Sequence, residues 1–269
     1  MAVPATTCPF PLGVLPVARS DSRYAARLAR RLGIALLPPG RQAIECDAVS
    51  AVLLVSGDEL ALQRTGPGAP GPVAAAFDSG AMRRRRRAGG SEALGRAVGA
   101  GKKQPLRVVD STAGLGRDAC VLAHLGCEVI LCERVPVVAE LLRAGMHSAR
   151  QDPVLAPIVG RMSLHGADAR LLPAETLSDV DVIFLDPMFP ALVRRAASKK
   201  EMALLQSLLG PADPGDADAL LRWALRQEIA RVVVKRPLRS KPLADLQPVH
   251  CLSGKTVRYD VYVRRALTA

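Results

Sequence analysis

The chain has 269 residues, 49% of them hydrophobic, enough to bury a core in one large domain or in one domain with a small appendage. Its formal net charge is +12, which fits a polyanionic partner such as nucleic acid and equally fits an Arg-rich compositional bias, so the location of the charge must decide. Aromatic residues are 3%, which excludes a broad base-stacking platform; six cysteines without C-x-x-C spacing and four scattered histidines point to buried free thiols in a reducing cytoplasm and to no metal site.

The first stretch, M-A-V-P-A-T-T-C-P-F-P, lacks the basic and unbroken apolar regions of a signal peptide, and no apolar run reaches membrane-spanning length. The expectation is a soluble cytoplasmic protein. V-L-P-V-A (14–18) and A-V-L-L-V-S (51–56) read as strands, and Asp21–Arg31 as a helix with an aspartate near its start. T-G-P-G-A-P-G-P (65–72) is a turn or linker, F-D-S-G-A-M-R-R-R-R-R-A-G-G (77–90) a basic loop, and Ser91–Gly99 the start of a helix. From Leu106 the pattern is regular. Strands are expected at 106–110, 127–133, 162–165, 180–186 and 231–235, and helices at Arg117–Leu125, Pro136–Ser148 and Lys199–Leu209. A loop at 210–218 precedes a helix around Leu220–Glu228, and P-V-H-C-L (248–252) with V-R-Y-D-V-Y-V (257–263) reads as a hairpin.

Strands alternating with helices imply a parallel sheet with right-handed crossovers, to which the hairpin adds an antiparallel strand. That is the α/β, Rossmann-like layout of class I S-adenosylmethionine-dependent methyltransferases, with a mostly parallel seven-stranded sheet. The expected organisation is a small N-terminal α+β region at 1–75, a basic linker and helix at 76–105, and the Rossmann-like domain at 106–269.

V-V-D-S-T-A-G-L-G-R-D (108–118) leaves a strand and enters a helix, and Gly114 and Gly116 let the backbone turn tightly and approach a ligand. Alone, such a turn is as consistent with plain chain reversal as with a cofactor site. Its surroundings favour the cofactor. Asp110, Glu133, Asp168 and Asp186 end or follow successive strands, which places acids along the edge where open α/β sheets bind ligands. An acid at Glu133 suits ribose hydroxyls, and Asp168 is placed to approach an adenine amine. Acids also suit S-adenosylmethionine, whose sulfonium and ammonium are cationic.

F-L-D-P-M-F-P (184–190) ends the fourth strand of this series. Asp-Pro-x-Phe has the pattern used by methyltransferases that act on exocyclic amines. The lone pair of a base amine is delocalised into its ring, so two acceptors must hold its hydrogens and aim it. The Asp186 carboxylate and the Pro187 carbonyl are the natural acceptors, Phe189 can stack on the base, and the prolines preorganise the backbone. The competing reading is a strand-ending acid with a Pro turn. Met188 stands where the wider motif often has a second proline.

The five arginines Arg83, Arg84, Arg85, Arg86 and Arg87 read either as a solvated charge run, the usual meaning of such a block, or as phosphate-backbone contacts, which their place between glycines before the catalytic domain favours. Arg194, Arg195, Lys199 and Lys200 follow the tip and either hold RNA or start a polar helix. Lys235 and Arg236 end a strand and either face the substrate edge or cap it.

Taken in order, F-D-S-G-A-M-R-R-R-R-R, V-V-D-S-T-A-G-L-G-R-D-A, C-E-R-V-P-V-V-A, L-D-P-M-F-P, K-K-E-M, Q-S-L-L-G and V-V-V-K-R-P resemble the RsmJ (YhiQ-type) family of bacterial 16S ribosomal RNA guanine-N2 methyltransferases. The resemblance covers roughly residues 50–263. It implies S-adenosylmethionine as methyl donor and a guanosine N2 in small-subunit ribosomal RNA as acceptor. It also implies cofactor contacts at Arg117, Asp118, Glu133, Arg134, Ala167, Asp168 and Asp186. Two other readings stand beside it: an adenine-N6 or other nucleic-acid amino-methyltransferase, and a non-catalytic RNA-binding protein with a relict cofactor fold.

Overall fold

The computed structural model describes residues 11–88, 93–187, 204 and 214–267. In chain order its first elements are β1 (Leu12–Pro16), α1 (Ser22–Leu32), β2 (Ala35–Leu36), β3 (Ala51–Ser56), β4 (Glu59–Arg64), α2 (Gly80–Ala88) and α3 (Ala93–Val98). There follow β5 (Arg107–Asp110), α4 (Arg117–His124), β6 (Glu128–Cys132), α5 (Pro136–Ala149), α6 (Ala156–Val159), β7 (Met162–His165), α7 (Ala174–Leu177) and β8 (Val182–Leu185). The last are α8 (Pro214–Arg226), β9 (Arg231–Pro237), β10 (His250–Ser253) and β11 (Val257–Val263).

The chain divides into two compact units. The described residues of 1–76, 135–148 and 204 form one, around a sheet ordered β2-β1-β3-β4. Its β1 is parallel to β2 and β3, while β4 returns antiparallel to β3. The strand expected at 14–18 lies two residues earlier: Leu12 to Pro16 pair with Ala51 to Val55, and Val17 makes a last bond to the Val55 carbonyl at 2.9 Å before the chain bends away. The alternation of Leu60 and Leu62 signals β4, which the sequence reading did not identify; the tight turn at Gly57, with φ +58, returns it to β3. Asp21 accepts the amides of Ala18 and Gly57 at 2.9 and 3.0 Å, which ties the approach to α1 to that turn. In α5, Gly145 lies so close to the Ala75 carbonyl that a Cβ would collide with it.

The described residues of 77–134, 149–187 and 214–267 form the second unit. Its seven-stranded sheet runs β10-β11-β9-β8-β5-β6-β7, with β11 antiparallel to β9 and to β10 and the other pairings parallel. The central strands are buried on both faces, so they read as continuous β-branched runs. Phe184 of β8 is 0% exposed and packs against Tyr259 of β11.

Two expected loops are helical. Residues 80–88 of the expected basic loop 77–90 form α2, because arginine is a good helix former and Ser79 caps the start by accepting the Met82 amide. Met82 anchors the helix, 1% exposed. The expected 210–218 loop gives way to α8 at Pro214, a residue that a first helical turn tolerates. The expected helix at 199–209 lies outside the described residues, apart from Leu204.

Cys46, Cys120, Cys127 and Cys132 are buried free thiols, as expected, and Cys251 is exposed. Burial pushes the Cys127 thiol up to about 11, so it stays protonated at neutral pH. None of the described helices is long and apolar enough to cross a membrane, and the described residues hold no cluster of metal-ligating side chains.

Candidate active site

The sheet order reverses at β5: the chain moves outward to β6 and β7, then crosses back to β8 and β9. A crevice at the carboxyl ends of the strands follows from that reversal. Asp110 ends β5, Glu133 follows β6, Asp168 lies beyond β7, and Asp186 follows β8. Their side chains come from distant parts of the chain, and a hydrogen-bonded loop fixes their spacing.

That loop is Ser111–Gly116. Ser111 donates its amide and hydroxyl to the Phe184 carbonyl at 2.9 and 2.8 Å. The Ala113 amide donates to the Cys132 carbonyl at 3.0 Å, and the Gly114 amide to Glu133 Oε2 at 2.9 Å. Thr112 Oγ1 accepts the Asp186 amide at 2.7 Å. The glycine turn is therefore stitched to β6 on one side and to β8 on the other. Gly114 and Gly116 have φ of +54° and +73°, a region that strains any residue with a Cβ. A Cβ on Gly114 would meet no atom within 4 Å, so the turn borders open space.

The electrostatics centre on Lys235 of β9. Its Nζ donates to Asp118 Oδ2 at 2.7 Å and to Asp186 Oδ2 at 2.6 Å. Arg85 of α2 reaches Asp118 Oδ1 at 2.7 Å. Burial works to raise the Asp118 carboxyl, but Lys235 and then Arg85 hold it below the ordinary carboxylate range. Burial works against the Lys235 ammonium too, and the two aspartates overcome it and push its pKa up. Asp186 is raised by burial and, against the pull of Lys235, by the nearby Asp118. Asp110, 1% exposed, is raised well above the ordinary range by burial and by Asp118.

A second cluster holds Asp168. Arg170 grips both of its oxygens at 2.8 and 2.6 Å and also reaches Asp216 of α8 at 3.0 Å. Arg134 meets Asp216 at 2.8 Å and Asp168 at 3.8 Å. Burial would raise Asp168, but the hydrogen bonds from Arg170 hold it below the usual range.

The residues present fit S-adenosylmethionine. Among the described residues the edge carries more carboxylates than cations, which suits a cationic ligand, and the Gly114 turn leaves room beside them. Glu133 has committed one oxygen to the Gly114 amide, and Ala167 lies in the bend that leads to Asp168. Arg117 and Asp118 open α4 directly after the turn.

Several expected outward cations are turned inward. Arg85 pairs with Asp118 and Arg86 donates to the Phe77 carbonyl, so only Arg83, Arg84 and Arg87 of the run are exposed. Lys235 is bound between two carboxylates rather than presented to phosphate. Arg236 is 8% exposed and donates to the Lys241 carbonyl at 2.6 Å, packed under the loop that follows β9. Phe189, Arg194, Arg195, Lys199 and Lys200 lie outside the described residues. Sequence reasoning missed Ser111 and Thr112 as loop fasteners, Arg170 as the partner of Asp168, and Asp216 as the second carboxylate that Arg170 and Arg134 bind. A hydroxyl pair beside a glycine turn was the one signal available. A cavity of about 340 Å³ lies at the opposite edge, where Lys103 pairs with Asp181 and Arg107 with Asp179.

Fold and site together define a Rossmann-like methyltransferase. The family profile described as "Putative SAM-dependent methyltransferase" matches residues 41–264. The "Ribosomal RNA small subunit methyltransferase J" of Marinobacter nauticus is 47% identical to this chain over 81% of it and 80% of the relative. The protein of the same name from Pseudomonas aeruginosa strain UCBPP-PA14 is 44% identical over 95% of this chain and 96% of the relative. A crystal structure of a SAM-dependent methyltransferase from Neisseria gonorrhoeae shares 32% identity, covers 93% of this chain and 95% of its own, and superposes with a TM-score of 0.70. The chain belongs to the SAM-dependent methyltransferase family in which these small-subunit methyltransferase J proteins fall, and S-adenosylmethionine is its cofactor.

Proposed function

We propose that the protein methylates the exocyclic N2 amine of a guanosine in 16S, small-subunit ribosomal RNA. The observation that carries this reading is the tip of β8. There Asp186 keeps 35% of its side chain open and is followed at once by Pro187, while its amide is fastened to the glycine turn through Thr112. An acceptor fixed beside a cofactor turn suits an amine that must be aimed before it can attack. The names of the relatives support ribosomal RNA as the substrate class.

Bound S-adenosylmethionine supplies the electrophilic methyl group. Asp110, Glu133, Asp168 and the Gly114–Gly116 turn hold it, with Arg117, Asp118, Arg134 and Ala167 beside them. The Asp186 carboxylate and the Pro187 carbonyl accept the two amine hydrogens, which directs the nitrogen lone pair out of conjugation and toward the reacting carbon. Asp186 can then take the proton that the methylated nitrogen releases. Phe189 stacks on the guanine, and the exposed Arg83, Arg84 and Arg87 hold the phosphate backbone. The partner is the 16S RNA or the small subunit, and the reaction belongs in the cytoplasm.

Asp186→Ala tests the reading. Labelled methyl transfer to small-subunit ribosomal RNA should fall by roughly 10²-fold or more, while S-adenosylmethionine still raises the melting temperature. Full activity in that variant contradicts the assignment.

A further inference from the structure

Lys235 is the least expected member of the site. It stands 117 residues from Asp118 and 49 from Asp186, yet its ammonium bonds both. Asp118 in turn binds Arg85 through its other oxygen. Charges therefore alternate from α2 to the tip of β8: Arg85, Asp118, Lys235, Asp186. A lysine kept for phosphate would leave its ammonium in water, whereas two of the three donors here are committed to carboxylates and the side chain is 23% exposed.

The surroundings of Asp186 explain why such a cation is needed. Asp118 of α4 faces it as a like charge and opposes its ionisation, and Asp110 of β5 lies near enough that Asp186 helps to raise the Asp110 carboxyl. Among the described residues Lys235 of β9 is the cation in direct contact with it; Arg85 of α2 stands behind Asp118, and Tyr259 of β11 lies near Lys235. A protonated Asp186 would turn an acceptor oxygen into a donor and lose its grip on the amine hydrogen.

We propose that Lys235 is a positioning residue for methyl transfer: it fixes the orientation of Asp186 and keeps it an ionised acceptor, while Arg85 and Asp118 hold Lys235 in place. This rests on the reading of Asp186 as the amine acceptor. Lys235 does not touch the substrate; it acts through Asp186.

The test is the pH dependence of kcat for methyl transfer to ribosomal RNA. Lys235→Met preserves the length of the stem and removes the charge. It should lower kcat at neutral pH roughly 10²-fold and move the acid limb upward by about one pH unit or more. Lys235→Arg should return the limb toward its parental position. Asp118→Asn should move it the other way, to lower pH, because a like charge is removed and Lys235 is left to Asp186 alone. A uniform loss of kcat at every pH in Lys235→Met, with the limb unmoved, overturns the proposal. If Lys235→Met shows no cooperative thermal transition, an unmoved limb in Asp118→Asn overturns it instead. A parent protein that methylates no ribosomal RNA, or an Asp186→Ala variant as active as the parent, refutes the amine-acceptor reading itself and is distinguished before any Lys235 variant is compared.

Discussion

The hydroxyl of Thr112 accepts the amide of Asp186 at 2.7 Å, so one hydrogen bond joins the cofactor turn to the proposed amine acceptor. Thr112→Val keeps the shape and leaves that amide without its partner. The loss should be about 1–3 kcal/mol in a denaturant titration, with a fall in kcat exceeding the fall in cofactor affinity. Asp110 carries the opposite kind of cost. Its folded carboxyl binds a proton more tightly than an unfolded one, so the folded state loses stability as pH rises from the ordinary carboxylate range through the raised value. Asp110→Asn removes that penalty. At neutral pH it should stabilise the free protein by roughly 0.5–2 kcal/mol, and the extra stability that S-adenosylmethionine confers should shrink, both measurable by thermal melts. The acids themselves were legible at this scale, because Asp110, Glu133 and Asp186 end apolar runs and Asp168 follows a short strand. Their partners were not: nothing local to Asp118 announces Lys235, 117 residues away, and nothing near Asp168 announces that its Arg170 also binds Asp216.

Among the elements, α2 is where sequence and structure differ most usefully. Five consecutive arginines read as a solvated loop, since a block of like charge repels itself. Wound into a helix, the same five residues point in different directions. Arg85 and Arg86 face inward to Asp118 and Phe77, and Arg83, Arg84 and Arg87 form the outward face at helical spacing. Replacing Arg83, Arg84 and Arg87 together by Gln should weaken binding to ribosomal RNA and flatten the dependence of log affinity on log salt by about 2, with kcat at saturating RNA retained. A filter-binding series across salt concentrations reads this directly, and an unchanged slope would remove α2 from the RNA interface. The strand at 51–56 was legible to the residue because nearly all of it is buried and its apolar run includes the β-branched Val52 and Val55; the shorter strand at 162–165 was legible from Met162 and Leu164, which alternate with the exposed Ser163. The start of α8 was misplaced because Pro and Gly read as loop, although a first helical turn accepts Pro.

Over the whole molecule, alternation of strands and helices followed by a hairpin was enough to specify a mostly parallel sheet with one antiparallel edge. The N-terminal unit was less legible: the two-residue β2 is too short to show a period, and β4 was passed over despite its alternation. The net charge of +12 could not by itself separate a nucleic-acid partner from compositional bias. Its distribution over α2 and the family relationship favour the first. In the function proposed for it, this fold aims a guanine amine at a bound methyl donor, with Asp186 as acceptor. The most direct test is nucleoside mass spectrometry of 16S ribosomal RNA from cells lacking the protein, compared with RNA from the same cells supplied with the parent or with Asp186→Ala. One N2-methylguanosine should be absent without the protein, restored by the parent and not restored by the variant. A restored methyl group on an adenine, or full restoration by Asp186→Ala, would contradict that function.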